Sequence, residues 1–430
     1  MDQNRSPLIV YANFFSDVAV SFTAHDVLTE WAGQAPRKIW LLQPGDALVT
    51  PVAPSGAFRR YACELLGVPS ESLKVMTSPP TTGLSMAEAL HQAGLMGSLR
   101  GLVTARPGAE LLPVVLDAST ADLARRLGVA VAAYGPGGPS GSAVDAVYRF
   151  NTKSGFRALA AELGIRMPEG RVCEGPAVEA TAAAMLRQYE RVVVKPDRSA
   201  GGHGLYFLSR AETVPALLRN RLTGTWVVEE RLDVVRPVSI QMHLDASGLR
   251  VVFSGEMRVQ HGSYTGYVSP LSESGGTVTA ELEQWGVALG HHLARSGYAG
   301  PYGVDAILAA DGRLYATESN VRRTATTTAQ FMASRLARAA GLDAPAWLLG
   351  RRRTRAPHGF KDAVRLLGRA GLSWASDPAG RAGGVVLYGD APADGRSWRY
   401  AVLGSTRTAV VETEEALVAV MEFEDPLPQW

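Results

Sequence analysis

The sequence predicts a chain of mixed α/β and α+β class: a small α/β unit with a largely parallel sheet, a denser α+β region, and a short C-terminal piece. Three observations carry that expectation. Residues 7–130 alternate short apolar runs with helical patterns. From about residue 151, strand-like runs follow one another closely. An Asp-Gly pair, Asp311-Gly312, divides two such runs in the second region.

At 430 residues the chain can bury more than one core, and two or three domains are expected. Apolar residues at 46% and charged residues at 20% describe an ordinary globular protein. The formal net charge of +2 argues against broad attraction to nucleic acid or anionic membrane, so any bound anion must be captured by a local site. Two cysteines, Cys63 and Cys173, lack metal-type spacing; they exclude a disulfide framework and fit a reducing cytoplasm. The N-terminus has no secretion-signal pattern, and no stretch approaches the roughly 18 uninterrupted apolar residues of a membrane span. A cytoplasmic protein acting on small molecules is expected, with a homodimer left open.

Along the chain, LIVYA at 8–12 and KIWLLQ at 38–43 read as strands. LVT at 102–104 and LLPVVL at 111–116 are weaker strand candidates, the second interrupted by Pro113. FRRYACELLG at 58–67 places Phe58, Tyr61, Leu65 and Leu66 on one helical face, with Gly67 as the stop. GPGGPSGS at 135–142 breaks regular structure and closes an N-terminal α/β domain, 1–145. NTKSGFRALAAELG then reads as a helix capped near Asn151 and stopped at Gly164. VVVKP, LYFL, TWVVEE, VSIQMHL and RVVFSGEM are successive strands. Residues 282–295 form a helix with Leu282, Trp285, Leu289 and Leu293 on one face, and YGVDAIL and RLYATE are two more strands. These make up a second domain, 146–345. The basic run RRRTR at 351–355 and the strands GVVLYG and RYAVLG form a C-terminal α/β appendage, 346–430.

The segment GVDAILAADGRLYATESN, 303–320, is the most informative. Asp-Gly between strands signals a tight hairpin, because a type I′ turn needs positive φ at both central residues. With Asp311 and Gly312 in those places, Asp305 faces Glu318. Like charges directly opposite each other cost a few tenths to about 1 kcal/mol, so a cation between them is expected. Asn320 projects to the same face and adds a neutral oxygen. Two carboxylates and an amide, with room for phosphate oxygens, suit magnesium held with a nucleotide. Solvated acids on an ordinary hairpin are the alternative.

The second informative segment is VVVKPDRSAGGHGLYFL, 192–208. An apolar strand ends in Lys195, and a Gly-rich loop leads to the next strand. Glycines let backbone N–H groups converge on phosphate oxygens. Among 43 basic residues only Lys38, Lys74, Lys153, Lys195 and Lys361 are lysines, which makes a lysine at this strand end conspicuous. The order of lysine and glycines differs from the GxxxxGK[ST] loop, and no helix follows at once as in GxGxxG.

In this order the segments resemble an ATP-grasp enzyme, whose fold clamps ATP between two α+β subdomains behind a pre-ATP-grasp α/β domain. The resemblance implies that Lys153, after Asn151 and Thr152, and Lys195 contact the nucleotide phosphates. Ser199, Gly201, Gly202 and Gly204 would form the flexible loop. VVEERL at 227–232 is similar to the adenine-reading hinge, placing Glu229, Glu230 and Leu232 around the base. Asp305, Glu318 and Asn320 match the metal ligands, and Arg322 the cation beside the transferred phosphoryl. Many members carry an acidic ribose ligand just before the VSIQ-like strand; here that stretch is Asp233-Val234-Val235-Arg236-Pro237, and the resemblance leaves Asp233 as the candidate for that duty. More narrowly, KIWLLQPGDALVTP, the NTKSGF segment and the extra C-terminal piece resemble the actinobacterial peptide ligases of pheganomycin-type biosynthesis. The implied activity is ATP- and magnesium-dependent ligation of a small-molecule carboxylate to an amine or peptide acceptor through an acyl phosphate, with Lys195 and Arg322 acting on the reacting phosphoryl. A carboxylase or acid–thiol ligase, or a nucleotide-binding regulatory protein without turnover, are the alternatives.

Other polar residues are read more plainly. His291 and His292 diverge by about 100° around a helix and make poor joint ligands. RRRTR lacks interleaved aromatics and reads as a solvated charge run. Trp31, Trp40, Trp226 and Trp285 read as core. Arg258, Gln260, His261 and Tyr264 lie in a loop-like stretch, MRVQHGSYTGYVSP, which suits an acyl-acceptor pocket and an ordinary surface loop equally.

Overall fold

The computed structural model describes residues 5–14, 16–18, 25–78, 80–199, 204–210, 222–260, 263–272, 276–376 and 382–424. The N-terminal unit holds strands β1 (Leu8–Tyr11), β2 (Ala47–Thr50), β3 (Lys74–Thr77), β4 (Glu110–Pro113) and β5 (Ala130–Val131). They form one parallel sheet in the order β3-β2-β1-β4-β5, so the chain reverses direction across the sheet between β1 and β4. Its helices are α1 (His25–Ala32), α2 (Gly56–Leu66), α3 (Met86–Gln92), α4 (Met96–Thr104) and α5 (Ala118–Leu127). Ser55 caps α2, and Gly67 ends it with φ +64°, as the sequence predicts.

Two expectations fail here. KIWLLQ is not a strand: residues Ala35–Leu41 form a 3-10 helix, buried along its whole length, Lys38 included. Pro36 presets its first turn, and a short apolar run cannot by itself distinguish a strand from a buried helical segment. LVT belongs to α4, whose run Leu99, Leu102 and Val103 follows helical spacing.

Helices α6 (Gly141–Phe150) and α7 (Lys153–Leu163) lead into a four-stranded antiparallel sheet. Thr152, one residue beyond the expected cap, accepts from the Gly155 N–H, and Gly164 ends α7 with φ +68°. The sheet contains β6 (Gly170–Glu174), β7 (Arg191–Pro196), β8 (Tyr206–Ser209) and β9 (Thr225–Glu230) in the order β6-β9-β7-β8, with α8 (Val178–Gln188) on one face. Val178, Ala182, Met185, Val192, Val194, Trp226 and Val228 give this unit a core of its own.

The larger sheet has nine strands: β10 (Val234–Asp245), β11 (Gly248–Gln260), β12 (Ser263–Ser269), β13 (Gly300–Ala309), β14 (Leu314–Asn320), β15 (Ala346–Arg353), β16 (Ala375–Ser376), β17 (Ala382–Leu387) and β18 (Ser397–Gly404). Their order is β14-β13-β10-β11-β12-β15-β18-β17-β16. Helix α9 (Thr277–Arg295) lies close on β10 and β13. A Cβ at Gly290 would sit 2.0 Å from the Tyr302 hydroxyl, so only glycine permits that approach. The remaining helices are α10 (Ala325–Ala339), α11 (Phe360–Arg369) and α12 (Arg407–Val420). No helix among the described residues is long and apolar enough to cross a membrane.

The C-terminal residues form no sheet of their own: β15 pairs with β12, and β18, β17 and β16 extend the same sheet. Trp347, Trp398 and Tyr400 share one core with Val10, Trp40 and Phe58 of the N-terminal unit. The loop-like stretch MRVQHGSYTGYVSP is the β11–β12 pair, with His261 outside the described residues. RRRTR is only partly solvated, because the pleat of β15 turns Arg352 inward, where its Nε donates to the Tyr400 hydroxyl at 3.0 Å.

Beside it, Glu414 of α12 is fully buried and accepts from Arg258 Nη1 and from the Tyr400 hydroxyl, each at 2.6 Å. Removing one partner of a buried ion pair strands the other charge. Glu414→Gln is expected to lower unfolding free energy by about 3 kcal/mol, seen as a lower urea midpoint with unchanged slope.

Candidate active site

Asp305 on β13 and Glu318 on β14 are register partners, as predicted, but not by the predicted turn. Ala309 N–H donates to the Arg313 carbonyl at 2.9 Å, so the loop has three residues, with Gly312 at φ +77°. That one-residue offset is undone by a β-bulge at Thr317, whose hydroxyl donates to the Asp305 carbonyl at 3.1 Å. The two irregularities cancel, and the acids face each other.

The two residues lie directly opposite each other in the ladder, and Asn320 Nδ2 donates to Asp305 Oδ2 at 2.9 Å. Burial, and then Glu318, push the Asp305 carboxyl well above its usual range, against the opposing charge of Arg322. A bound cation is what would let both acids ionise. Among the described residues no cluster of three or more His, Cys, Asp and Glu side chains could hold a metal. The oxygen donors of Asp305, Glu318 and Asn320 fit an ion that takes its remaining ligands from phosphate and water, as magnesium does.

Lys153 stands at the first turn of α7, fixed by its N–H to the Asp197 carbonyl at 3.1 Å and by Ser154 N–H to Asp197 Oδ1 at 2.7 Å. Its Nζ donates to Ser199 Oγ at 2.8 Å and lies 3.5 Å from Glu318 Oε2. Burial pushes this ammonium below its ordinary range, with Glu318 opposing and Lys195 adding to the shift. Asn151 holds the turn after β14: its Oδ1 accepts from Val321 N–H at 3.1 Å and from Arg322 Nη1. Helix α7, the β7 loop and β14 thus bring Lys153, Ser199, Glu318, Asn320 and Arg322 to one place.

Lys195 at the end of β7 pairs with Glu229 on β9, which also pairs with Arg157 at 2.6 Å. Burial alone would raise the Glu229 carboxyl, but Lys195 and Arg157 outweigh it and hold it low. The Glu229 side chain is therefore turned inward and is itself buried. Glu230 accepts from Glu169 N–H at 3.0 Å, and Leu232 is half-buried. Asp233 lies exposed and pairs with Arg191 at 2.6 Å. Gly204 has φ +74°; Gly201 and Gly202 lie outside the described residues.

Several residues on this face were not anticipated. Arg157 is the second partner of Glu229. Ser239 and Gln241 on β10 lie opposite Asp305 and Gly303, both buried, with Ser239 3.0 Å from the Tyr267 hydroxyl. The alternation Ser239, Gln241, His243 against Ile240, Met242, Leu244 was the available signal for a polar face on this strand.

A pre-ATP-grasp domain model matches residues 35–129, and an ATP-grasp domain model matches residues 154–326. No protein of curated function is similar in sequence. The chain is similar in structure to an N5-carboxyaminoimidazole ribonucleotide synthetase in complex with ADP, at 14% identity over 98% of this chain and 99% of that one, TM-score 0.59. The same synthetase from Thermus thermophilus is 14% identical over 98% and 100%, TM-score 0.57. The biotin carboxylase domain of Hydrogenobacter thermophilus 2-oxoglutarate carboxylase, solved with MgADP, ADP and bicarbonate, is 12% identical over 96% and 90%, TM-score 0.58. Identities this low speak for the fold.

Two mutational outcomes follow from the geometry. Asp305→Asn and Glu318→Gln are each expected to move the magnesium dependence of nucleotide turnover to higher concentration; a titration identical to the parent's would remove the pair from the metal site. Lys195→Ala is expected to weaken ATP binding roughly tenfold to a hundredfold, the loss of one charge-assisted contact, as read by calorimetry.

Proposed function

We propose that this chain, which carries an ATP-grasp fold behind a pre-ATP-grasp domain, is an ATP-dependent ligase that activates a carboxylate as an acyl phosphate and passes it to an amine. Enzymes of this fold use ATP with magnesium. The observation that carries the reading is the direct opposition of the half-buried Asp305 and Glu318, with Asn320, Lys153, Ser199 and Arg322 gathered around it. Bound at Asp305, Glu318 and Asn320, magnesium supplies neutralising charge for a transferring phosphoryl group.

Lys153 and Lys195, with the loop from Ser199 to Gly204, would hold the triphosphate, and the backbone from Glu229 to Leu232 the base. A carboxylate oxygen attacks the γ-phosphorus and ADP leaves. The amine nitrogen then bonds to the acyl carbon, the bond from that carbon to the phosphate oxygen breaks, and orthophosphate and a proton depart. Arg322, half-buried and held by Asn151, is placed to stabilise charge developing on the phosphoryl and then on the tetrahedral oxyanion. The acid and acceptor are read as an amino acid or peptide pair in specialised metabolism. That rests on the likeness of the NTKSGF and 38–51 segments to the pheganomycin-type peptide ligases.

A second reading, carboxylation with bicarbonate as the acid, is favoured by the structural likeness to carboxyaminoimidazole ribonucleotide synthetases and a biotin carboxylase domain. Acceptor-dependent turnover with amino acids and peptides, compared with bicarbonate-dependent turnover, separates the two. Chromatography of the nucleotide products tests both. ADP with orthophosphate is expected, and AMP with pyrophosphate as the main products would sink the acyl-phosphate mechanism.

A further inference from the structure

Lys38 has no exposed surface, and Arg37 beside it is 8% exposed. Among the described residues neither forms an ion pair. Lys38 Nζ donates to Thr328 Oγ1 of α10 at 2.6 Å and lies 5.1 Å from the centre of the Phe14 ring. The Arg37 guanidinium lies 5.9 Å from the rings of both Phe14 and Tyr388, and its Nε has no hydrogen-bond partner. Arg323 adds a third cation within electrostatic reach of Lys38. Burial, followed by the charges of Arg37 and Arg323, pushes the Lys38 ammonium well below its ordinary range. Burying cations together without a carboxylate is costly, and such an arrangement persists where an anion is to complete it.

The place is also right for a ligand. Phe14 follows the carboxyl end of β1, and the sheet order reverses between β1 and β4, where open α/β sheets form a ligand crevice. Asn13 spans that switch, accepting from Val114 N–H at 2.9 Å and donating to the Val115 carbonyl at 2.7 Å. The buried Tyr264 hydroxyl has no partner either, and Tyr264 is within electrostatic reach of Arg37, Tyr388 and Asp305.

We propose that this crevice binds the carboxylate of the acid substrate, with Arg37 and Lys38 as its cationic floor and Phe14, Tyr264 and Tyr388 around the rest of the acid. The assignment rests on the acyl-phosphate reading for its role, and on the uncompensated cations for its chemistry. It makes the pre-ATP-grasp unit the acid-selecting part of the protein.

The test is melting of the full-length protein at constant ionic strength with acetate or phenylacetate, each against its neutral amide, and separately with MgADP. The parent is expected to melt higher with either carboxylate, saturably, and not with the amides. Lys38→Met is expected to melt on the order of 2 °C higher than the parent without ligand, because a desolvated cation is gone. It should also lose the carboxylate response while keeping the parent's MgADP shift. Arg37→Met carries the same expectations if Lys38→Met does not fold. A parent indifferent to both carboxylates, or variants that keep the carboxylate response or melt lower than the parent, would overturn the proposal. Loss of the MgADP shift in the parent would instead count against the nucleotide site and leave the crevice to be judged by the carboxylates alone.

Discussion

Two carboxyl groups facing each other across a half-buried hairpin are the constraint around which the rest of this site is arranged. On an exposed sheet the opposition of Asp305 and Glu318 would cost a fraction of a kcal/mol, but partial burial thins the water that screens them. The surroundings answer with cations and donors: Lys153 beside Glu318, Arg322 within reach of both acids, and Asn320 donating to Asp305. Each of these is itself fixed by something else. The Thr152 cap starts the helix that presents Lys153, and Asn151, one residue earlier, ties down Arg322. The short polar run Asn151-Thr152-Lys153 thus positions both cations nearest the acid pair.

The two ends of the chain are joined through the core. The nine-stranded sheet passes from β12 to β15 without a break, and the aromatic side chains of the last strands pack with Trp40 and Phe58 of the first unit. The small sheet of β6 to β9 differs, because its packing with α8 forms a separate core. The nucleotide-contacting residues expected on β7, β9 and the following loop therefore stand on a unit whose hydrophobic core is separate from that of the large sheet. The acids stand on the large sheet itself.

Much of this was legible in the sequence because it was written in local chemistry. Asp311-Gly312 marked the hairpin, Gly67 and Gly164 marked helix ends, and the strand ending in Lys195 preceded its loop. The illegible parts depend on distant neighbours. KIWLLQ is apolar on every side because the 3-10 helix is enclosed, so no periodicity distinguished it from a strand, and the burial of Lys38 was hidden with it. Arg157 meets Glu229 across 72 residues, and Arg258 meets Glu414 across 156, separations at which no sequence pattern points to a partner. Arg352 looked solvated because a basic run conceals the alternation of the strand beneath it.

The hairpin carries a parity rule. Its loop is one residue longer than the tightest turn, and the bulge at Thr317 takes up that residue before Glu318 is reached. Pairing Thr317 with Asp305 in place of the bulge would slip Glu318 by one and send it to the opposite face. Losing a residue from the loop would instead leave Ala309 opposite Arg313, and deleting Thr317 outright would leave Glu318 next after Ala316 and still opposite Asp305. The loop at 310–312 can thus vary in length without disturbing the acids, whereas residue 317 keeps them facing only while it stays out of the ladder.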